Sequence, residues 1–348
     1  MARPDPGLSL YIHVPFCTDK CLYCDFYSVP CRTVSDQVLA AVIDQTIGQA
    51  RFFLDAAAHG RRVETLFIGG GTPSVLPRKE LEKLFSSLSD LGCAEWTVEA
   101  NPETLDDSFL SLCRDAGVTR LSVGIQTLQE KHLRLLRRRA SKEDALSAIR
   151  RLGQGWQGEV NLDFIAGIPG QTVQEVRDDL SVLEGSWPSH VSLYQLTVEP
   201  DTRLAALVNS GEIALNTPDQ DEALWFAGKG ALENRGYQQY EVSNFCLPGR
   251  ECRHNLRYWR IDPYAGAGPA AASTLPGSWI MPVLKDRGAA DLSSPVFRLS
   301  NPKDIHAFLQ GPEALWGMEI ESIAPRDFLL ENLMMGLRMA RGIPSDQL

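Results

Sequence analysis

Three cysteines stand within eight residues near the start of the chain, Cys17, Cys21 and Cys24 in "IHVPFCTDKCLYCDF". Three thiols are an odd set for disulfides and one short of a closed tetrahedral zinc site. Cys31 or His13 would have to supply the fourth ligand if the metal were zinc. An iron–sulfur cube suits the spacing better, because three thiolates leave one iron open to a ligand that does chemistry. Three unrelated free thiols are the bland alternative, and such close clustering disfavours it. Cys93, Cys113 and Cys246 are scattered and read as small buried hydrophobes.

Further polar residues recur where strand-like runs end. "FIGGGTP" (67–73) places Gly70, Gly71 and Thr72 after an apolar run, where glycines let a ligand approach the backbone and amide N–H groups meet a carboxylate. Glu99 follows in "VEANPE", Gln126 in "GIQT", Arg138 twelve residues on, and Asp163 in "LDFIAGIPGQT". Parallel α/β folds build their sites at carboxyl ends of strands. Each of these residues, taken alone, reads equally well as an ordinary strand-end hydrogen bond.

The elements that must carry these residues alternate regularly. Strands are expected at 8–14, 64–70, 95–101, 120–126, 159–166 and 190–196. Helices are expected at 35–58 with Ser35 as cap, 78–91, 104–116, a pair within 128–152, and 172–185. Six βα units in series imply a parallel sheet, since each return to the same edge needs a helical crossover. After Glu199 the rhythm breaks into two helices (200–211 and 217–236) and a late strand (237–245). Little structure is expected beyond 250 until a helix over 326–343 that stops at Gly342, with Pro344 just beyond.

Composition bounds the function. The chain has 348 residues, 44% apolar and 22% charged, enough for a large core or two domains. A net charge of −10 argues against nucleic acid as partner, which needs clustered cations; the basic run 134–142 reads as a solvated helix end. The N-terminus shows no signal-peptide pattern, and no run of apolar residues is long enough to span a membrane. Eight cysteines without an export signal point to a reducing compartment, so a cytoplasmic location is expected.

The C-x3-C-x2-C spacing, with aromatic Tyr23 before the third cysteine, resembles the radical S-adenosylmethionine (SAM) superfamily. That resemblance implies a [4Fe–4S] cluster on Cys17, Cys21 and Cys24, whose unique iron binds SAM and whose reduction yields a 5′-deoxyadenosyl radical. The ordered set that follows is similar to one subfamily, the oxygen-independent coproporphyrinogen III oxidases and their relatives. The resemblance covers the chain from about residue 8 to its end. It assigns Tyr11, Tyr23, Gly70, Gly71, Thr72, Glu99, Gln126, Arg138 and Asp163 to SAM, with Arg138 pairing a carboxylate and Asp163 accepting from a hydroxyl or amino group. It implies an α/β fold, a partial (β/α)6 TIM-like barrel over 1–200, with a smaller α+β region over 201–348 that is short for the family.

Two features divide the subfamily. The oxidase carries a fourth cysteine two residues after the third, where this chain has Phe26. "CRHNLRYW" (252–259) contains H-N-x-x-Y-W, which is similar to the haem-binding motif of the HemW haem-chaperone branch. There His254 would ligate haem iron beside the flat faces of Tyr258 and Trp259, with Cys252 ranked below it. Without the resemblance, such a histidine is more often a hydrogen-bonded structural group. His13 reads as structural or SAM-proximal, and His59, His132, His190 and His306 as surface groups. The segment 266–274 departs from the family pattern, with Ala272 where a histidine is usual. The implied function is haem binding and delivery to acceptor haemoproteins such as respiratory enzymes, compatible with a homodimer and with peripheral membrane association. Coproporphyrinogen III oxidation, a radical SAM methyltransferase or haem-degrading relative, and a structural zinc protein remain as alternatives.

Overall fold

A computed structural model describes residues 6–58, 60–183, 187–286, 294–311 and 317–343. Six strands carry the expected rhythm: β1 (Leu8–Val14), β2 (Val63–Gly70), β3 (Glu95–Ala100), β4 (Arg120–Gln126), β5 (Glu159–Ala166) and β6 (His190–Gln195). Between them run α1 (Asp36–Phe53), α2 (Arg78–Ser86), α3 (Asp107–Ala116), α4 (Glu130–Leu135), α5 (Lys142–Gly155) and α6 (Val173–Leu180). Their starts are chemically marked. Ser35 Oγ accepts the Val38 N–H at 3.3 Å, and reciprocal capping boxes join Ser141 to Asp144 and Thr172 to Glu175. α3 stops at Gly117, whose φ of +88° suits a residue without Cβ.

Beyond residue 199 come α7 (Arg203–Asn209), α8 (Pro218–Glu233), β7 (Asn244–Cys246), α9 (Arg253–Trp259), β8 (Tyr264–Ala267), β9 (Ala272–Pro276), α10 (Gly277–Asp286), β10 (Val296–Ser300), α11 (Ile305–Gln310), β11 (Glu319–Ile323) and α12 (Pro325–Gly336). The region past 250 is therefore far more regular than its composition suggests. Its strands are only four or five residues long, and the first two, Tyr264–Ala267 and Ala272–Pro276, are built largely of small residues, so they lack the apolar alternation that betrays a strand. The expected strand 237–245 is two short pieces, Gln238–Gln239 and β7, and the last helix ends at Gly336 rather than Gly342. Pro344 lies outside the described residues. No helix among the described residues is long and apolar enough to cross a membrane.

The chain divides into two compact units. The first comprises Met1–Cys17, Tyr27–Val98 and Cys252–Leu348, the second Thr18–Phe26 and Glu99–Glu251. In the first, strands lie in the order β11-β10-β9-β8-β1-β2-β3. β1 pairs parallel with both β2 and β8, while β8 to β11 pair antiparallel. In the second, β4, β5 and β6 are parallel, and β7 pairs antiparallel with β6. β1 is buried on both faces: Leu8, Leu10, Ile12 and Val14 line one with no exposed surface, and Ser9 and His13 on the other are 1% and 5% exposed.

One amide pair ties the C-terminal strands of the first unit to α1. Gln49 Nε2 donates to Asn301 Oδ1 at 2.7 Å, and Asn301 Nδ2 returns bonds to Gln49 Oε1 at 3.2 Å and to the Ala271 carbonyl at 3.1 Å. Gln49 Oε1 also accepts the Gly268 N–H at 2.8 Å. Gly268 has φ +103°, and a Cβ there would collide with the His13 carbonyl oxygen, which explains a glycine in the segment 266–274. Both amides are buried, so Asn301→Ala is expected to strand Gln49 and cost about 1–3 kcal/mol. Urea denaturation of the two proteins measures this.

Candidate functional site

The sequence-expected residues fall into both units. Cys17, Tyr11, Gly70, Gly71, Thr72 and His254 belong to the first; Cys21, Cys24, Tyr23, Glu99, Gln126, Arg138 and Asp163 belong to the second.

In the first unit, Cys17 ends a two-residue strand beside Val29–Pro30, and its Sγ lies 3.6 Å from Thr72 Oγ1. The turn after β2 closes onto the same segment. Gly71 N–H donates to the Val14 carbonyl at 2.8 Å and Thr72 N–H to the Phe16 carbonyl at 2.7 Å. His13 occupies the space beneath the glycines. Its Nε2–H donates to the Tyr27 carbonyl at 2.9 Å, so its Nδ1 accepts the Tyr11 hydroxyl at 2.9 Å. A Cβ on Gly70, where φ is +112°, would lie 2.6 Å from His13 Nδ1, and one on Gly71 would strike the Phe16 backbone. Glycine is required at both positions for close approach, in addition to anything it offers a ligand.

In the second unit, the cysteine loop is stitched down by its backbone. Leu22 N–H donates to the Leu136 carbonyl at 3.1 Å, and the Leu22 carbonyl accepts Leu204 N–H at 2.9 Å. Tyr23 packs on Leu136, Ile165 and Ile168, and loss of water raises its hydroxyl well above the ordinary phenol range. Arg138 reaches across this floor. Its Nη1 donates to Cys21 Sγ at 3.6 Å, and its Nη2 to the Gly124 carbonyl at 2.8 Å and Asn101 Oδ1 at 3.1 Å. Burial opposes its charge, yet Tyr23, Cys21 and Glu103 hold it more firmly protonated than usual. Arg138 Nε is buried with no hydrogen-bond partner among the described residues. An incoming carboxylate would satisfy it, so the donor set fits an amino-acid ligand.

Asp163 sits in a polar net. Its oxygens accept Asn161 Nδ2 at 2.8 Å and Ser122 Oγ at 3.1 Å, and Asn161 Oδ1 accepts His190 Nδ1 at 2.7 Å. Burial raises the Asp163 carboxyl, and the donated bonds pull it back. Only Asp163 of this net stands out in the sequence, although Asn161 and Asp163 share a strand face through their two-residue spacing. Two histidines also need correction: His190 and His132 are each 2% exposed, not surface groups. His190 is held by Asn161 and Tyr240, and His132 by Glu175 at 3.2 Å. His306 is exposed, and His59 lies outside the described residues.

His254 occupies a different place. It lies on α9 against the first residues of β2 and β3: its N–H donates to Glu95 Oε1 at 2.8 Å, and Nδ1 meets Thr65 Oγ1 at 2.8 Å. Thr65 Oγ1 donates onward to Ser9 Oγ, so it accepts from His254 Nδ1–H, and Nε2 carries the lone pair facing the Tyr258 hydroxyl at 3.2 Å. The ring is 2% exposed, and burial followed by the Arg257 charge lowers its pKa to about 3. The Gly70–Thr72 turn follows the other end of β2, about 16 Å along the strand from Thr65. Cys252 Sγ donates to Glu95 Oε1 at 3.4 Å. Among the described residues no three His, Cys, Asp or Glu side chains group tightly around one metal ion. An iron–sulfur cube, with one thiolate per iron, asks for wider spacing.

Comparison with known proteins places the chain. The Radical SAM superfamily pattern matches residues 11–183. The chain is 32% identical to the heme chaperone HemW of Synechocystis, over 97% of this chain and 79% of that protein. It is 38% identical to the Escherichia coli heme chaperone HemW, over 81% of this chain and 74% of that protein. The chain belongs to the HemW family of the radical SAM superfamily. The solved Escherichia coli coproporphyrinogen III oxidase, HemN, a radical SAM enzyme, superposes with a TM-score of 0.73. It covers 97% of this chain and 77% of its own, at 23% identity, which shows the fold alone. The expected α/β fold of the radical SAM type is thus borne out.

Two tests follow from this geometry. Gly70→Ala is expected to destabilise by about 2 kcal/mol or more, through positive φ and the His13 ring, read as a lowered melting temperature. His13 and His254, lowered to about 4 and about 3 from 6.5, bind protons in the unfolded chain before the folded one. Stability is therefore complete above about pH 6.5 and falls as pH drops towards 4, on the order of 1.4 kcal/mol per pH unit for each histidine. Denaturation midpoints across that range check the slope, and a non-titrating replacement of either residue should remove its share.

Proposed function

We propose that this chain is a haem-handling chaperone that binds haem, carries a [4Fe–4S] cluster with SAM, and passes haem to acceptor haemoproteins such as respiratory enzymes. The observation that carries this reading is the 31–38% identity to proteins named heme chaperones across most of the chain. Phe26 supports it: the side chain is 64% exposed where the oxidase pattern has a fourth cysteine, so packing does not dictate it.

In this reading Cys17, Cys21 and Cys24 hold the cluster. Tyr11, Tyr23, Gly70, Gly71, Thr72, Glu99, Gln126, Arg138 and Asp163 form the SAM site. The cluster supplies one-electron chemistry when loaded. The chain's own part is to place a permanently charged guanidinium, with an unused buried N–H, beside Cys21, and a carboxylate held by Asn161 and Ser122 nearby on β5. His254 is the proposed haem ligand. Its imidazole is neutral throughout the physiological range; the ring is 2% exposed with Nε2 facing the Tyr258 hydroxyl at 3.2 Å, so iron ligation would require Tyr258 to move off the ring and open the pocket.

The test compares haem titrations of the reconstituted wild type, His254→Ala and Tyr258→Phe with conversion of coproporphyrinogen III. Haem binding is expected in the wild type, lost or displaced in its Soret position in His254→Ala, and equal or tighter in Tyr258→Phe, with no porphyrinogen turnover. Turnover without haem binding would instead make the chain an oxidase. Wild-type haem affinity is also expected to show no loss from His254 protonation between about pH 8 and 5.5, because that group titrates at about 3.

A further inference from the structure

Gln126 has an unusual backbone. Its φ is +66°, and the N–H of Thr127 donates to the carbonyl of Ile125 at 2.9 Å, closing a three-residue turn around it. An i to i+2 bond across a residue with φ near +75° marks the strained form of the γ-turn, rare for a residue with a side chain. The pairing of β4 with β5 shifts register between Gly124 and Gln126 at the same place. The result is that the Gln126 side chain folds back over its own strand. A Cβ on Gly124 would lie 2.7 Å from Gln126 Nε2 and 3.4 Å from Arg138 Nη2, so amide and guanidinium share one patch above that glycine.

Strain of this kind persists only where neighbouring bonds over-determine it. Those bonds converge on one carboxylate from α6. Asp179 Oδ2 accepts Thr127 Oγ1–H at 2.6 Å, and Oδ1 accepts Leu128 N–H and Gln129 Nε2–H, each at 2.9 Å. Thr127 Oγ1 then accepts Gln129 N–H at 3.1 Å, locking the three residues after the turn to each other as well. Thr127 has no exposed surface and Asp179 has 2%. A buried carboxylate with three donors from consecutive residues has little freedom to move.

We propose that Asp179 is a positioning residue: it holds the γ-turn at Gln126 and thereby aims the Gln126 amide at the ligand bound beside Arg138. The inference rests on the SAM-site reading above, for which the ligand class is an amino acid bearing a nucleoside. Asp179 itself touches no ligand. Its effect passes through Gln126, and its loss lets the turn relax so that a smaller fraction of the protein presents the amide correctly.

The test uses full-length reconstituted protein with Asp179→Asn, Thr127→Val, Gln126→Ala and the Asp179→Asn/Gln126→Ala double variant. SAM affinity is measured by equilibrium binding, and amide hydrogen exchange over 125–129 is followed without SAM. Asp179→Asn, which keeps the volume but replaces one acceptor with a donor, is expected to weaken SAM about tenfold or more and speed exchange at Thr127 and Leu128. Thr127→Val should do the same to a smaller degree. In the Gln126→Ala background the Asp179 change should have no further effect on SAM, although the melting temperature still falls. A merely structural Asp179 would weaken SAM equally in both backgrounds, and unchanged exchange in both single variants would overturn the clamp whatever SAM does. If the wild type binds no SAM, the SAM-site reading fails, while the exchange data still decide whether Asp179 holds the turn.

Discussion

A guanidinium taken out of water must find both counter-charge and hydrogen-bond acceptors, and much of the second unit is arranged around that demand at Arg138. A backbone carbonyl of β4, the amide of Asn101 after β3 and the thiol of Cys21 each take a share. These acceptors come from three separate stretches of sequence, so satisfying one side chain fixes the cysteine loop relative to two strand ends. The leftover N–H at Nε is what remains to recognise something from outside. A lysine, with one point charge and no planar fork, would not link the same three segments.

The first unit solves a comparable problem with small size instead of charge. His13 lies where Gly70 leaves room and where Tyr11 and Tyr27 use both ring nitrogens. Gly71 lies against the Phe16 backbone and Gly268 against the His13 carbonyl. The run of glycines thus has two separable explanations. Crowding by the His13 ring accounts for Gly70 and crowding by backbone for Gly71 and Gly268, and ligand binding is an additional use of the half-buried turn that Gly70 and Gly71 form.

The parallel strands were legible because each is a compact apolar run between turn residues, and three of their spans match the expectation residue for residue: 8–14, 120–126 and 159–166. The three-cysteine spacing is equally local and needs no fold to be seen. What the sequence hid depends on partners far away along the chain. Nothing near Asp179 in sequence announces that it clamps residues 127 to 129, and "HNLRYW" does not reveal that its histidine is enclosed by Thr65, Glu95 and Tyr258. Buried His132 and His190 misled for the same reason: their polar partners belong to other helices and strands, and a lone histidine among polar neighbours looks solvated.

In the first unit, the thiol of Cys17 and the glycine turn follow the carboxyl ends of β1 and β2, whereas His254 bonds Thr65 and Glu95 near the starts of β2 and β3. Phe67 of β2 joins the two: its ring lies 5.2 Å from that of His254 and 6.1 Å from that of Tyr11, whose hydroxyl bonds His13 beneath the glycines. A change of bulk at Phe67 therefore reaches the imidazole pocket and the glycine turn together. The two edges of these strands are tied by one file of rings, so neither can drift far in shape without the other being felt.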